Sequence, residues 1–410
     1  MNVNNHTPHA ALKPSVLAAT ILVSITSITA HATNGLAPTG LGNDHRAMGG
    51  AATGNPINSS SIASNPAAAS FVDDGYDLGV ELFQPDRSAS AGGKTFSGNG
   101  KENFIIPEGA YKRSTASGLD LGLVVYGNGG MNTEYKTNPG FGSGTAGVDY
   151  QQLFIAPTLS YKLNENHAFG ASINLVYHKF KAYGITGFGG FSSDPTKFSD
   201  NGYVSSTGAG LTLGWQGRIS PSLTAGLAYR SKVRMGKLDK YSGLFPNAGS
   251  FDVPAATSAG VGWEISDSTQ LALDVQRIHY SDVSSIGNSS LIQAPFGSNG
   301  GPGFGWDDIT VYKLGMRHRL KPNLALMAGF NYGGNPVKSS ETTLNVLAPG
   351  VTQKHLSLGA QIATSPKSSI TISYMHALSN EVIGDKSSMM SGYDLKMEQN
   401  SMAISFSHKF

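Results

Sequence analysis

Cysteine is absent from this 410-residue chain, and its absence removes several kinds of chemistry at once. No disulfide, thiolate metal site or cysteine nucleophile is available. A chain without cysteine also suits a protein that crosses an oxidising compartment before it folds. Charge is scarce as well, because Asp, Glu, Lys and Arg make up 14% of the residues, against about 25% in typical soluble domains. The composition therefore argues against two or three ordinary soluble domains.

Motifs of catalysis are missing too. The chain has no G-x-S-x-G, H-E-x-x-H or Walker sequence, and no dinucleotide-binding loop follows a strand. The formal net charge is only +2, so nothing indicates a polyanionic partner such as nucleic acid. We accordingly predict no catalytic residue, no metal, no cofactor and no nucleic-acid partner.

Long apolar runs are also lacking. No stretch reaches the roughly 20 apolar residues that a membrane-spanning helix needs. The apolar run at residues 16–28 follows Lys13 and precedes an A-x-A cleavage site that ends at Ala32. We interpret residues 1–32 as a secretory signal peptide that is removed, so that the mature chain begins at Thr33. A helical membrane protein is excluded.

Small residues dominate the next segment. Of the 38 residues at 33–70, 22 are Gly, Ala, Ser or Thr, and only Asp44 and Arg46 carry full charge. Such a segment neither buries a large apolar face nor solvates itself as a linker does. Its glycines tolerate tight bends, and two Asn-Pro pairs add turn signals. We predict a compact plug over residues 33–72, with a disordered leader as the alternative.

Apolar residues alternate with other residues along the rest of the chain. Leu119, Leu121 and Leu123, for example, flank Asp120 and Gly122. Strict alternation indicates a strand with two unlike faces. Segments of this kind recur at residues 74–85, 103–115, 118–129, 149–162, 167–181, 203–218, 222–234, 253–265, 269–281, 307–320, 323–333, 353–364, 368–380 and 397–410.

The connections between these segments alternate in length. Short turns, as at Ser220-Pro221 and Lys321-Pro322, alternate with long, glycine-rich connections. Strands of about ten residues, short turns at one end and long loops at the other are typical of an outer-membrane barrel. We predict an all-β, antiparallel transmembrane barrel of about 14 strands at residues 73–410. The long connections span residues 86–102, 131–148, 181–201, 235–251, 282–305, 334–351 and 382–396.

A soluble β-sandwich or propeller is the alternative, and the aromatic residues and the last strand favour the barrel. Met402, Ile404 and Phe406 share one face of the last segment with His408 and Phe410. A terminal aromatic residue after such alternation resembles the signal for the barrel assembly machinery. Aromatic residues near strand ends form a possible interfacial girdle: Tyr161, Tyr177, Trp215, Tyr229, Trp263, Tyr280 and Tyr332.

Several longer motifs resemble the FadL/TodX family of outer-membrane transporters over essentially the whole mature chain. They are NGLAPTGLG, AMGGAATG and SIASNPAAAS in the plug, then GLAYRSK, LALDVQRIHYSD, GWDDITVYKLGMRHRL, LALMAGFNYGGNPV and the closing SFSHKF. The resemblance implies a monomeric barrel of 14 strands whose N-terminal segment, the hatch, folds into the lumen. It also implies uptake of hydrophobic compounds, such as long-chain fatty acids or aromatic hydrocarbons, across the outer membrane of a Gram-negative bacterium. Lipid and lipopolysaccharide of that membrane are expected neighbours.

Candidate functional residues follow from these observations. Gly127 to Gly130 suggest a bulge that opens an exit in the wall. The expected hatch and gating residues are Gly49, Gly50, Asn65, Pro66 and Ala67. Loop residues expected to face solvent and capture substrate are Phe141, Phe188, Phe191, Leu244, Phe245, Phe296 and Phe304. Cations that would meet a cargo carboxylate, or else form hatch-to-wall ion pairs, are Arg46, Arg230, Arg277 and Arg317.

Three other functions remain open at this point. A general diffusion porin lacks a plug and usually carries more luminal charge. An outer-membrane lipid hydrolase needs a Ser/His pair, and no serine here stands apart as a nucleophile. A purely structural or adhesive barrel would carry no ligand.

Overall fold

The computed structural model describes residues 34–389 and 392–410. The proposed signal peptide and Thr33 lie outside the described residues, so its cleavage stays a prediction. Two segments make up the described chain. Residues 34–72, for which we keep the name hatch, contain only short helices, and the residues that follow form a β-sheet with long loops.

Fourteen strands of the described chain form an antiparallel sheet that closes on itself. Each strand pairs with its neighbours in chain order, and β14 pairs with β1 from Gly75 opposite Lys409 to Ser90 opposite Asp394. The predicted 14-stranded barrel is therefore confirmed. The strands are β1 Gly75–Ala91, β2 Phe104–Ser114, β3 Leu119–Tyr135, β4 Ala146–Asn164, β5 His167–Tyr183, β6 Val204–Ser220, β7 Leu223–Arg230, β8 Ala256–Ser266, β9 Thr269–Ile278, β10 Ile309–Lys321, β11 Leu324–Gly333, β12 Lys354–Ser365, β13 Ser368–Val382 and β14 Asp394–Lys409.

Alternation along the strands places apolar side chains outside and smaller or polar ones inside. On β14, Met402, Ile404 and Phe406 are exposed while Ser401, Ala403 and Ser405 are buried. The pattern predicted for the terminal strand is thus confirmed. Because no open sheet edge is tolerated in hydrocarbon, the pairing of β14 with β1 is a condition of membrane insertion.

Two strands run well past their predicted ends. β1 continues to Ala91 although Pro85 suggests an end. Proline is tolerated there because β1 pairs with β2 only up to Phe83, so the missing N–H of Pro85 removes no bond on that side. β3 continues through its glycines to Tyr135, where the sequence suggested the start of a loop.

The remaining elements are short. The hatch contains the α-helix α1, Asn43–Ala47, and the 3₁₀ helices Ser59–Ala63 and Pro66–Phe71. Two short strands, Lys94–Ser97 and Arg234–Met235, pair with β1 and β6. Within the described ranges, no helix has the length and apolarity to cross a membrane. The loop helices are Thr186–Phe191, Pro195–Lys197, Asp239–Tyr241, Pro246–Gly249, Tyr280–Asp282, Ser284–Gly287, Ser339–Glu341 and Thr342–Asn345.

The aromatic side chains near the strand ends face outward, with one clear exception. Tyr161, Trp263 and Tyr229 are about half exposed, as an interfacial girdle requires. Tyr280 is fully buried instead. Its assignment to the girdle is wrong, because the residue lies past the end of β9 in a short helix, where its hydroxyl bonds to the start of the hatch.

A charge on the outer face tests the orientation of the wall. Leu358 lies in the middle of β12 and is 62% exposed, whereas Leu163 lies at the turn end of β4 and is 64% exposed. We predict that Leu358→Arg lowers the free energy of unfolding by about 2–4 kcal/mol, and Leu163→Arg by about 0–1 kcal/mol, because the penalty depends on membrane depth. Urea unfolding in phospholipid vesicles measures both. Equal losses would contradict the proposed membrane position.

Candidate functional site

A buried ion triad attaches the hatch to the wall. Arg46 Nη2 lies 3.2 Å from Glu81 Oε2 on β1 and 3.0 Å from Glu108 Oε2 on β2. Burial by itself lowers the pKa of Arg46, but Glu108 and Glu81 outweigh this effect and raise it. Arg46 already has two carboxylate partners, so the geometry assigns it the hatch-to-wall ion pair that the sequence left open.

Close approach of the hatch to the wall depends on Gly49. This residue has a φ of +67°, and a Cβ there would lie 2.7 Å from the carbonyl oxygen of Phe330. The neighbouring strand position holds the segment in place, because Asn331 Nδ2 donates to the Gly49 carbonyl at 3.1 Å. Gly50 also has a positive φ, +84°. The two glycines allow close contact between backbone segments that a Cβ would block. The gating role of Gly49 and Gly50 stays a prediction.

The Asn-Pro-Ala turn is a second anchor. Asn65 Oδ1 accepts the Ala67 N–H and caps the helix that Pro66 begins. Its Nδ2 donates to the carbonyls of Thr53 and Trp215, both at 2.9 Å. These contacts tie two parts of the hatch to β6. They describe an attachment point, and the gating role of the turn stays a prediction.

A carboxylate on β9 holds the middle of the hatch. Asp274 Oδ2 accepts the backbone N–H groups of Ala52 and Thr53, both at 2.8 Å. Hydrogen bonds to an ionised acceptor are about twice as strong as neutral ones. The sequence analysis missed this residue, because alternation shows that Asp274 faces inward but not which backbone groups it meets.

The start of the hatch is held by Tyr280. Its hydroxyl accepts the N–H groups of Leu36 at 2.9 Å and Ala37 at 3.2 Å, and it donates to the Asn34 carbonyl at 2.5 Å. Burial raises the pKa of Tyr280, which keeps the hydroxyl protonated and able to donate. The rings of Trp306 and Tyr280 pack edge to face, and their centroids are 5.2 Å apart.

An apolar pocket lies directly above this end of the hatch. Its cavity volume is about 20 Å³, which is room for roughly one water molecule. Cargo therefore enters only if some of the lining moves. The lining consists of Leu36, Phe83, Pro85, Arg87, Met131, Asn132, Trp306, Ala348, Pro349, Gly350 and Met397.

A loop covers the pocket on the extracellular side. We call residues 339–351 the cap segment. The indole N–H of Trp306 donates to Asn345 Oδ1 at 2.5 Å, and the hydroxyl of Tyr135 donates to the Val346 carbonyl at 2.8 Å. Thr133 Oγ1 donates to the Leu347 carbonyl at 2.9 Å. The cap segment and the hatch thus share one boundary, which is the apolar pocket.

The loop residues expected to capture cargo are mostly buried. Exposure is confirmed for Phe191, which is 68% exposed, and Phe188 is partly buried. The expectation of exposure is wrong for the other five, because the long loops fold over the barrel mouth and bury their rings against one another. A capture role stays a prediction for all seven. The buried residues, each at most 5% exposed, are Phe141, Leu244, Phe245, Phe296 and Phe304.

The wall is interrupted between β2 and β3. The ladder joins Gly109–Ser114 to Asp120–Val125, and within the described chain no ladder to β2 continues along residues 126–135. A cavity beside this break is lined by Leu41 of the hatch and also by Leu78 and Val125. Both wall residues occupy outward positions, and Leu78 is 47% exposed. The cavity therefore reaches from the hatch toward the lipid side.

The glycines of β3 lie at this break. The β3–β4 register shifts between Gly127 and Gly129, which leaves Asn128 as the extra residue of a bulge. Gly129 has a φ of +143°, and a Cβ there would lie 2.0 Å from the carbonyl oxygen of Leu36. The predicted bulge is therefore present, and it touches the start of the hatch.

A buried lysine, Lys313, and a partly buried arginine, Arg230, line a second cavity between hatch and wall. Arg230 Nη1 donates to Asn128 Oδ1 at 2.5 Å, and Lys313 stands opposite Asp274 in the β9–β10 register. Among the described residues, no carboxylate oxygen lies within 4.0 Å of either cationic group. Buried charges are normally paired, so the unpaired Lys313 makes this cavity a candidate site for an anionic group.

The other two predicted arginines lie elsewhere. Arg277 faces outward near the rim, where its Nη2 is 3.4 Å from Asp308 Oδ2. The expectation that it meets cargo in the lumen is therefore contradicted, because position 277 has the outward parity of β9. Arg317 faces inward near the short turns and donates to Gln361 Oε1 at 2.6 Å.

Arg87 and Lys313 are two inward-facing cations that the sequence analysis missed. Arg87 is 2% exposed, lines the apolar pocket and donates to the Lys101 carbonyl at 2.6 Å. Its inward position could not be recognised while β1 was predicted to end before it. Lys313 carries the inward parity of β10, so alternation alone could have identified it.

Comparison with known proteins agrees with this architecture. The model of a family described as "Outer membrane protein transport protein (OMPP1/FadL/TodX)" matches residues 20–410. The chain belongs to this family. As a member with a closed barrel, the protein lies in the outer membrane of a Gram-negative bacterium, and its family function is transport.

Similar family members are named as transporters. The long-chain fatty acid transport protein of Salmonella typhi is 22% identical over 361 residues, which cover 78% of this chain and 82% of that protein. The toluene transporter TodX of P. putida has a TM-score of 0.70 at 18% identity and covers 91% of this chain and 99% of that one. A FadL homologue of Pseudomonas aeruginosa has a TM-score of 0.69 at 16% identity, and the match covers 94% of this chain and 100% of that one. At these identities the structural likeness establishes the fold alone.

In residues 34–389 and 392–410 no group of three or more His, Cys, Asp or Glu residues is arranged to hold a metal ion.

The ion triad gives a test of the hatch attachment. We predict that Arg46→Met weakens hatch docking by about 3–5 kcal/mol, because two buried carboxylates lose their partner. Ionic current through single molecules in a planar bilayer should rise. Arg277→Met, the same change on the outer face, should leave the current at the native level. In the triple variant R46M/E81Q/E108Q the current should fall back toward the native level, because no unpaired carboxylate remains. A native current for Arg46→Met would contradict the anchoring role.

Proposed function

We propose that the protein takes up hydrophobic small molecules, such as long-chain fatty acids or aromatic hydrocarbons, by passive movement through the plugged barrel. The observation that carries this proposal is the apolar pocket, which lies between the extracellular loops and a hatch that abuts a break in the wall. The names of two similar proteins, a long-chain fatty acid transport protein and a toluene transporter, support the same cargo class.

The chemistry of the pathway suits apolar cargo. A hydrocarbon gains nothing by leaving lipid for a water-filled pore, whereas an apolar pocket replaces its contact with water. The pocket is small in this conformation, so entry of cargo displaces Leu36 of the hatch or Ala348 to Gly350 of the cap segment. Movement of cargo is then coupled to movement of the hatch, and the anchors at Gly49, Gly50 and Asn65 to Ala67 limit how far that movement extends.

Exit through the wall is the second step of the proposal. Cargo that passes Leu36 meets Gly129 and the interrupted β2–β3 ladder. An apolar molecule leaving there enters lipid without crossing water. Two further proposals accompany the transport role: the chain acts as a monomer, and its terminal Phe410 is read by the barrel assembly machinery.

Removing the bulge tests the exit. We predict that deletion of Asn128 regularises the β3–β4 ladder, closes the break and abolishes most uptake of labelled oleate and toluene by cells. Deletion of Gly144, an exposed loop residue with open space around it, is the matched control and should leave uptake unchanged. Resistance of the folded barrel to SDS at room temperature confirms assembly of both variants. Unchanged uptake by the folded Asn128 deletion would refute exit at this break.

A carboxylate on the cargo would meet Arg230 and Lys313. We predict that the double variant R230Q/K313Q lowers oleate uptake about tenfold or more, because a hydrogen bond to a charged group contributes about 1.5–3 kcal/mol. Toluene has no charge, so its uptake should remain native. Arg277→Gln is the control. An equal loss for both cargos, or no loss for either, would contradict recognition of the carboxylate in this cavity.

A further inference from the structure

Two lysines follow the apolar band on the outer face of β5. The outward positions of this strand carry Phe169, Ile173, Leu175 and Tyr177, which are 55%, 52%, 48% and 39% exposed. The next two outward positions are Lys179 and Lys181. These lie toward the long loops, so they stand where hydrocarbon gives way to the headgroups of the outer leaflet. Lysine stems lie along apolar surface while the ammonium group stays among polar groups.

A tyrosine ring holds the two ammonium groups together. Lys179 Nζ lies 4.4 Å and Lys181 Nζ 5.1 Å from the ring centroid of Tyr203, just before β6. Lys181 Nζ also lies 4.4 Å from the centroid of Tyr183. Cation–π contacts of this kind fix the position of charges that would otherwise move freely. The rim therefore presents two positive charges at a defined spacing.

Neither lysine is neutralised by a carboxylate. In the described ranges no carboxylate oxygen lies within 4.0 Å of Lys179 or Lys181. The acid across from Lys181 in the register is Asp149, and its Oδ2 is already bound by Lys101 Nζ at 3.1 Å and the Tyr203 hydroxyl at 3.0 Å.

Two other lysines at the loop end do have carboxylate partners. Lys386 lies 2.6 Å from Asp394, and Lys338 lies 2.7 Å from Asp307. The lysine pair on β5 is set apart by its position directly above the apolar strip and by the aromatic rings that support both ammonium groups.

We propose that Lys179, Lys181 and Tyr203 form a binding site for the phosphorylated headgroup of the outer-leaflet glycolipid. A phosphate carries at least one full negative charge and accepts charge-assisted hydrogen bonds from both ammonium groups. The acyl chains lie on the strip below, where Ile173 pairs with Leu211 and both are about half exposed. Acyl chains on the strip and phosphate on the lysines give one continuous surface for one lipid.

Titration of the purified full-length mature chain with lipid A tests the site. The probe is bis-phosphorylated lipid A in detergent micelles, with bound lipid counted by native mass spectrometry. The double variant K179Q/K181Q should bind about 30-fold more weakly, because each lysine near a charged lipid surface contributes about a factor of five. The conservative variant K179R/K181R should keep its affinity.

A matched control separates this site from general surface charge. Lys354 on β12 and Lys396 on β14 are exposed, face outward and lie toward the long loops. K354Q/K396Q removes the same charge and should leave affinity unchanged. Dephosphorylated lipid A should bind native and variant chains equally.

Three results would overturn the proposal. The first is unchanged affinity of K179Q/K181Q. The second is an equal loss in K354Q/K396Q, which would show a diffuse charge effect. The third is displacement of lipid A by inorganic phosphate alone, which would show a phosphate site that does not depend on the lipid.

Discussion

Every backbone N–H and C=O group in the hydrocarbon layer needs a partner within the protein, and this requirement shapes the whole molecule. Pairing of β14 with β1 satisfies it around the circumference. The ladder between β2 and β3 is the notable interruption. That interruption coincides with the bulge at Asn128 and with the contact between Gly129 and Leu36, so the weakest part of the wall is backed by the hatch.

The hatch in turn depends on the inner face of the barrel. Its small side chains lie close to the wall, and its polar backbone groups are met by Asp274, Asn331 and Tyr280. Arg46 is neutralised by Glu81 and Glu108. Among the described residues, by contrast, Lys313 is buried with no carboxylate oxygen within 4.0 Å, and unpaired ionisable groups inside a membrane protein usually mark functional sites.

Much of the wall could be predicted because alternation is a local property. Leu119 to Leu123 reveal a two-faced strand without knowledge of any neighbour. The candidate site was predicted less well. Phe245 and Phe296 were expected in solvent but are buried, since loop residues find apolar partners only after the loops have folded over the mouth. Arg277 and Arg230 look alike in the sequence. Arg277 nevertheless lies on the outer face of the barrel, whereas Arg230 lines a cavity between hatch and wall.

Composition and periodicity were sufficient to establish the barrel, its strand count, the small-residue hatch and the terminal strand, because each depends on residues close together in the chain. Contacts between distant residues decided the rest. The closure of the sheet brings Tyr280 over Leu36 and sets Asp274 opposite the hatch backbone. Strand register then determines which cations share a cavity, and no local pattern encodes which distant strand positions become neighbours.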